Sequence, residues 1–452
     1  MATSSVIADE RTIVAVSTPL ARSALAMVRV SGPKVSVVAA ALLSPVPSIA
    51  RRATRCTVSD SSGALLDDAI ATLYVAPHSF TGEDLLEITT HGGVLTPTLV
   101  MAAAVAAGAR IAEPGEFTRR AVLSGKLDLI QAEAIGDLID ARSSAAHTLA
   151  LRQLDGGLSR RIGALRQQVL ELEALLAYDI DFPEEDDGPL PRARIASKAE
   201  EVYSALNTLL ATSGQGTLVH DGALVVLAGA PNSGKSSLFN ALLGESRAIV
   251  TEVPGTTRDA IEAVLDTPRW PLRVVDTAGL RETGDVVERL GIEVSWRYLG
   301  RADVVLACAD NNDSSALVAE LHRLTDAPVV TVRTKADLLS EGDQFDAACA
   351  VSATTGYGLS TLLELIVDRL TMRHGVPALD APVLTRARHQ AAVTEAGEEL
   401  RRFLDAWSGD LLPASVAATH VREAGRALGT LIGAVDTEEI LDVVFRSFCV
   451  GK

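Results

Sequence analysis

GALVVLAGAPNSGKSSLFNALLG, residues 222–244, decides the fold of the middle of this chain. Its first part is a short unbroken apolar run of strand type, and its last part, SLFNALLG, reads as an apolar helix. Between them, Gly229-Ala-Pro-Asn-Ser-Gly234-Lys235-Ser236 has the spacing of a phosphate-binding loop. Glycines let backbone N–H groups wrap phosphate oxygens with no side chain in the way. Lys235 brings positive charge to the β- and γ-phosphates, and the Ser236 hydroxyl suits magnesium. The start of the helix adds its own partial positive charge. The phosphate-contacting run is therefore Asn232, Ser233, Gly234, Lys235, Ser236 and Ser237.

Downstream, LRVVDTAG, ADVVLACAD and APVVTVRTKAD are short apolar strands, each followed by a loop and a helical stretch, the alternation of a parallel α/β sheet. Three further motifs stand in the order expected of a Ras-like nucleotide switch. TEVPGTTRD offers Thr256 and Thr257, one of which can reach magnesium when a γ-phosphate is present. Asp276 ends a strand and can hold a magnesium-bound water, and after Thr277 and Ala278 the Gly279 amide can sense the γ-phosphate. Thr334-Lys335-Ala336-Asp337 places a carboxylate where it can accept two hydrogen bonds from guanine, which adenine cannot offer. Ser352 and Ala353 complete the base pocket from a fifth strand. Together these indicate a GTPase rather than an ATPase. Two positions depart from the usual pattern. Thr334 stands where Asn is customary, and Leu280, just after the switch glycine, cannot orient a water. Among nearby acids, Glu282, Asp285 and Glu288 are equally eligible for that task.

Working outward, 452 residues allow about three domains at ~150 residues each. Residues 1–125 mix strand-like runs with Gly and Pro turns, an α+β pattern. Residues 126–215 are helical, with Ile162, Leu165, Val169, Leu172 and Leu176 forming one apolar seam. The α/β unit occupies 216–378, and 379–452 is helical again. The two helical pieces are expected to pack as one bundle split by the insert. A formal net charge of −17 argues against an autonomous, nonspecific nucleic-acid binder. The four cysteines show no metal-ligand spacing. The start of the sequence lacks the pattern of a secretory signal, and LVMAAAVAAGA is too short to span a bilayer, so a cytoplasmic protein with no membrane partner is expected.

SFTGEDLLEITTHGG, EPGEFTRRAVLSGKLDLIQAEAIGDLIDA, DFPEE, PGTTRDAIE, DTAGLRETGDVVERLGI and the terminal FCVGK extend the pattern over nearly the whole chain. In these stretches the sequence resembles the bacterial tRNA modification GTPase family called MnmE or TrmE. The resemblance implies an N-terminal tetrahydrofolate-binding-like domain that holds a homodimer, and a helical domain built from both sides of an inserted G domain. It also implies an FAD-dependent partner, MnmG, in a heterotetramer that meets the tRNA. The pair installs aminomethyl or carboxymethylaminomethyl groups at carbon-5 of the wobble uridine, using a one-carbon unit from 5-formyl-tetrahydrofolate or a related folate.

The same resemblance assigns roles residue by residue. A potassium ion in place of an arginine finger would be held by Asn232, Thr251, the backbone of Val253, and Thr256, while Ser236 and Thr257 hold magnesium. Glu288 becomes the water-orienting acid. Folate contacts map to Arg29, Glu87, Lys126 and Lys452. The family's early glycine-rich Pro-Pro-Gly-x-Gly-Gly stretch is TPLARSAL here, residues 18–25, which adds side chains where backbone approach is otherwise open. Cys449 is read as structural, and His91 as a hydrogen-bonding residue rather than a base.

Overall fold

The computed structural model describes residues 11–181, 192–245, 261–276, 298–311, 315–339, 346–408, 413–434, 441, 444–445 and 448–451. Two compact units emerge, Met1–Gly136 with Gly429–Lys452, and Asp137–Leu428.

In the first unit, β1 (Ile13–Val16), β2 (Leu25–Ser31), β3 (Leu43–Ser44), β4 (Thr54–Ser59), β5 (Leu65–Tyr74), β6 (Leu85–His91) and β7 (Arg110–Ile111) form one sheet. Its order is β3-β4-β5-β6-β2-β1-β7, antiparallel except where β1 meets β7. Strand alternation sorts the side chains by face. Val14, Val28, Val30 and Ile88 pack with α1 (Val35–Leu42) and α2 (Leu95–Ala106), helices that contain no charged residue. Ile13, Ala15 and Leu85 point the other way, onto Ala112 and the fully buried Phe117 of α3 (Glu116–Leu123).

The far end of the chain joins this unit. Leu441, Val444 and Phe445 pack on Leu129 and Ala132 of α4 (Leu129–Asp140). Val450 bridges Pro114, the Gly115 N–H donates to the Cys449 carbonyl at 3.2 Å, and the Ser17 hydroxyl donates to the Gly451 carbonyl at 2.9 Å.

The second unit begins with α5 (Ser144–Leu154), α6 (Gly157–Asp181), α7 (Arg192–Leu210) and α8 (Ser213–Asp221). The α/β segment follows: β8 (Ala223–Ala228), α9 (Lys235–Glu245), β9 (Ile261–Leu265), β10 (Leu272–Asp276), β11 (Val304–Ala309), α10 (Ser315–Leu324), β12 (Val329–Arg333), β13 (Cys349–Ala350) and α11 (Leu359–His374). After it come α12 (Ala387–Ser408) and α13 (Ala414–Leu431). The sheet order is β13-β12-β11-β8-β10-β9, parallel apart from the β9–β10 hairpin. Every residue of β8 is buried, as expected for a central strand covered on both faces.

Helices from both sides of the insert pack together. The α6 seam from Ile162 to Leu176 is buried, α7 lies against both α6 and α12, and Gly425 of α13 meets Val169 of α6. Arg192 stacks its guanidinium 4.3 Å from the Trp407 ring centroid and accepts the indole N–H on its carbonyl at 3.1 Å. One helix crosses the division drawn from the sequence, since Ala145 and Leu149 of α5 are buried in the core of the α/β sheet. Among the described residues no helix is long and apolar enough to cross a membrane.

Candidate nucleotide site

The phosphate loop connects the carboxyl end of β8 to the start of α9, the crevice where open α/β sheets bind ligands. Gly229 has φ 154°, and a Cβ there would lie 2.2 Å from the Cys308 carbonyl oxygen, so the loop can start against β11 only with glycine. Asn232 adopts the left-handed region with φ 62°, a conformation that Asn tolerates better than most residues. It is exposed, as are Ser236 and Ser237 in the first turn of α9.

Lys235 is 5 % exposed and opens α9. Its ammonium donates to the carbonyls of Gly229 and Ala230, at 2.9 and 2.7 Å, and so lies within the loop it would serve. Asp276, 2 % exposed, ends β10, the strand next to β8 in the sheet. Burial, with the Asp276 charge adding to it, pushes the nearby Cys308 thiol up to about 12 and removes it from thiolate chemistry.

The residues expected to meet the base come from two loops. Asp337 lies in a short 3₁₀ turn, Ala336–Leu338, entered through Lys335 at φ 55°. Its carboxylate accepts the Ser352 hydroxyl at 2.6 Å, while the Ala336 N–H donates to the Val351 carbonyl at 3.0 Å. Ala353 follows, half-buried. The Lys335 ammonium pairs with Asp310 at 2.6 Å.

Thr334 does something the motif alone does not disclose. Its buried hydroxyl lies 2.6 Å from the Ser233 carbonyl and 3.2 Å from that of Ala309, and its side chain packs beside Gly234. The base loop is thereby tied to the phosphate loop. Ser233 itself keeps a buried hydroxyl with no hydrogen-bond partner among the described residues.

Thr251, Val253, Thr256, Thr257, Thr277, Ala278, Gly279, Leu280, Glu282, Asp285, Glu288 and Lys452 lie outside the described residues.

In the first unit, Arg29 and Glu87 face each other in register on β2 and β6 and form a 2.7 Å ion pair. The Arg29 guanidinium sits 5.5 Å from the Phe80 ring centroid. Burial, reinforced by the Glu87 charge and a hydrogen bond to it, raises the Tyr74 hydroxyl above its ordinary value. Lys126 donates to the Pro77 carbonyl at 3.1 Å, so one loop, 77–80, touches both Lys126 and Arg29. Phe80 and Tyr74 were not singled out from sequence, since their proximity comes from strand register and loop return. His91 hydrogen-bonds Asp67 through Nδ1 at 2.7 Å, which raises its pKa. Cys449 is exposed, and its carbonyl receives the Gly115 N–H.

A second cluster also escaped sequence reading. Asp137, at the end of α4, is 9 % exposed and receives His220 Nε2 at 3.0 Å and the Arg386 guanidinium. His220 Nδ1 meets Asp221 at 2.7 Å. Asp137, His220 and Arg386 line a cavity of about 130 Å³ with Gln153 and Thr385. The IGDLIDA run was the available signal, but His220 and Arg386 are 83 and 249 residues away from Asp137.

Comparison with known proteins agrees over almost the full length. Residues 12–126 match the family described as GTP-binding protein TrmE N-terminus, and residues 129–449 match the MnmE helical domain family. A tRNA modification GTPase MnmE from Azoarcus sp. (strain BH72) is 42 % identical over 450 residues, covering 97 % of this chain and 98 % of that protein. One from Aquifex aeolicus (strain VF5) is 38 % identical over 449 residues, covering 97 % and 99 %. Among solved structures, the G domain of the T. maritima FeoB iron transporter is 29 % identical, covering 32 % of this chain and 98 % of that one at a TM-score of 0.26.

Proposed function

The chain belongs to the MnmE (TrmE) family of tRNA modification GTPases, and from that premise we propose a potassium-activated GTPase that works as a homodimer. With an FAD-dependent MnmG partner it would place aminomethyl or carboxymethylaminomethyl groups on carbon-5 of the wobble uridine of certain tRNAs, drawing a one-carbon unit from a tetrahydrofolate. GTP hydrolysis is its own reaction. The observation that carries this part is the meeting of a lysine-bearing phosphate loop with an Asp337–Ser352 base loop through Thr334.

The residues fit the groups they would hold. Lys235 leaves the loop carbonyls for the β- and γ-phosphate oxygens, and Ser236, one residue on in the exposed first turn of α9, offers a hydroxyl to magnesium with Thr257. Asn232 presents an exposed carboxamide on a left-handed turn, which suits a weakly hydrated cation such as potassium, with Thr251, Val253 and Thr256 as the remaining ligands. A fixed cation beside the transferring phosphoryl group would stabilise its developing charge, and Glu288 would orient the water that Leu280 cannot. In the first unit, the Arg29–Glu87 pair beside Phe80 and Tyr74 combines charge with flat aromatic surface, a surround suited to a pterin. Lys126 and Lys452 supply charge for the carboxylates of the folate tail.

GTP hydrolysis measured in potassium and in sodium buffers tests the reading. Potassium should stimulate turnover by at least about tenfold, against the 10³–10⁵ ascribed to an arginine finger. Asn232→Ala should abolish the difference, and Glu288→Ala should slow turnover while GTP affinity is kept. Equal rates in both salts would remove the potassium mechanism, and no saturable folate binding by the wild type would remove the one-carbon role.

A further inference from the structure

Helix α5 starts directly against the nucleotide sheet. Asp266 follows β9 in the β9–β10 hairpin, and its carboxylate accepts both the backbone N–H of Ser144 at 3.0 Å and its hydroxyl at 2.6 Å. The helix already has an internal cap, since the Ser143 hydroxyl accepts the Ala146 N–H at 3.1 Å. Asp266 is therefore a second, external cap, placed where a helix N-terminus favours negative charge. Directly behind it, Ala145 and Leu149 share a buried core with Leu265, Trp270 and Leu272 of the hairpin.

The hairpin has a special place in the sequence. It is the covalent link between the two switch motifs: β9 begins at Ile261, just after TEVPGTTRD, and β10 ends in Asp276, the first residue of DTAG. A γ-phosphate-dependent shift in either motif thus enters the hairpin at one of its ends.

The two ends of α5 are held differently. At the far end, Gln153 is 3 % exposed and donates to Thr385 at 3.0 Å, a buried contact with the segment leading into α12. The turn before α5 follows Asp137, itself held by His220 and Arg386. The Ser144–Asp266 contact is exposed to solvent, so it exchanges readily with water, whereas the buried contacts do not. A helix packed on the hairpin through Ala145 and Leu149, and capped at its first residue by a solvent-exposed contact, can report a shift of the hairpin.

We propose that α5 relays the nucleotide state from the switch hairpin to the helical part of the chain, with Asp266 as the residue that positions its N-terminus. The inference rests on the protein binding GTP as argued above. Hydrogen exchange of the full chain, loaded with magnesium and either GDP or a non-hydrolysable GTP analogue, tests it. In the wild type, protection of the amides at 144–148 should differ between the two states by at least about fivefold, the lower end of ordinary coupling between sites. Asp266→Ala should erase that difference, and Ser144→Ala, which keeps the backbone N–H bond, should reduce it, while nucleotide affinity stays within about twofold in both. Asp266→Asn, which retains an acceptor oxygen, should restore part of it. Identical exchange over 144–154 in both wild-type states, or an undiminished difference in Asp266→Ala, would overturn the relay. Nucleotide titration of the same samples separates this failure from failure of the functional reading, because a chain that binds no guanine nucleotide fails there first.

Discussion

At Thr334 a hydroxyl stands in for the customary carboxamide, and its geometry says which half of the carboxamide's duty it keeps. One short donor cannot both hold the Ser233 carbonyl and reach a purine, so Thr334 braces the phosphate loop, and in the proposed reading base recognition would fall to Asp337 and Ser352. Thr334→Val keeps the shape and removes the donor. A buried hydrogen bond is worth about 0.5–1.5 kcal/mol net, so GTP and GDP affinity should both fall about two- to tenfold. Thr334→Ser should bind as the wild type does, and the preference for GTP over ITP should not move, since Asp337 would read the exocyclic amine. Displacement of a fluorescent guanine nucleotide measures all three, and a collapsed GTP/ITP ratio in the valine variant would show Thr334 meeting the base. The phosphate loop was legible in sequence because its chemistry is local, eight residues whose spacing is itself the site. The brace was not legible, because the hydroxyl's reach depends on β12 lying beside β11 and on the left-handed turn at Lys335.

Between elements, a single carboxylate pins the ends of three helices. Asp137 lies in the last turn of α4, His220 in the last turn of α8 just before β8, and Arg386 directly precedes α12. Hydrogen bonds to Asp137 and to Asp221 hold the His220 imidazole in its charged form and raise its pKa to about 9. Burial alone would raise Asp137, but the hydrogen bonds from His220 and Arg386 outweigh it and leave its pKa below the ordinary range. The signs then fix the window. The His220 contribution is fully present below the unfolded value of about 6.5 and is lost as pH rises through about 9. The Asp137 contribution is present above the ordinary carboxylate value and is lost as pH falls through its depressed one. Thermal unfolding of the wild type should therefore show stability falling by about 2–3 kcal/mol from pH 6.5 to pH 10, and His220→Gln should flatten that slope. An unchanged slope would mean that the imidazolium does not contribute. Helical periodicity revealed the α6 seam, yet it could not reveal this cluster, whose members are neighbours only after the insert has folded back on the helices.

Over the whole molecule, residues 449–451, far along the sequence, are held against the first unit by contacts with Ser17, Pro114 and Gly115. FCVGK has no periodicity and no turn signature of its own, and nothing local marks it as a partner for Pro114 and Ser17, the latter 434 residues from Gly451. The structure brings it there by backbone contacts, and one residue makes the fit possible. Gly451 has φ 94°, and a Cβ on it would lie 2.8 Å from both the Ser17 Cα and the Val16 carbonyl oxygen. Val16 pairs with Val28, adjacent to Arg29, so the tail is held at the strand pair that carries half of the proposed folate pocket. Gly451 directly precedes Lys452, the residue proposed above as a folate contact, so a change at Gly451 tests that proposal. Gly451→Ala should lever the tail away while leaving the second unit as it was. A hydrogen bond to a charged group is worth about 1.5–3 kcal/mol, so folate affinity should drop by at least about tenfold. GTP hydrolysis without folate should stay within about twofold. Tetrahydrofolate titration by fluorescence, run beside a GTPase assay on the same preparation, reads both. Equal losses in the two assays would mean that the tail serves general stability, and unchanged folate binding would remove Lys452 from the pocket.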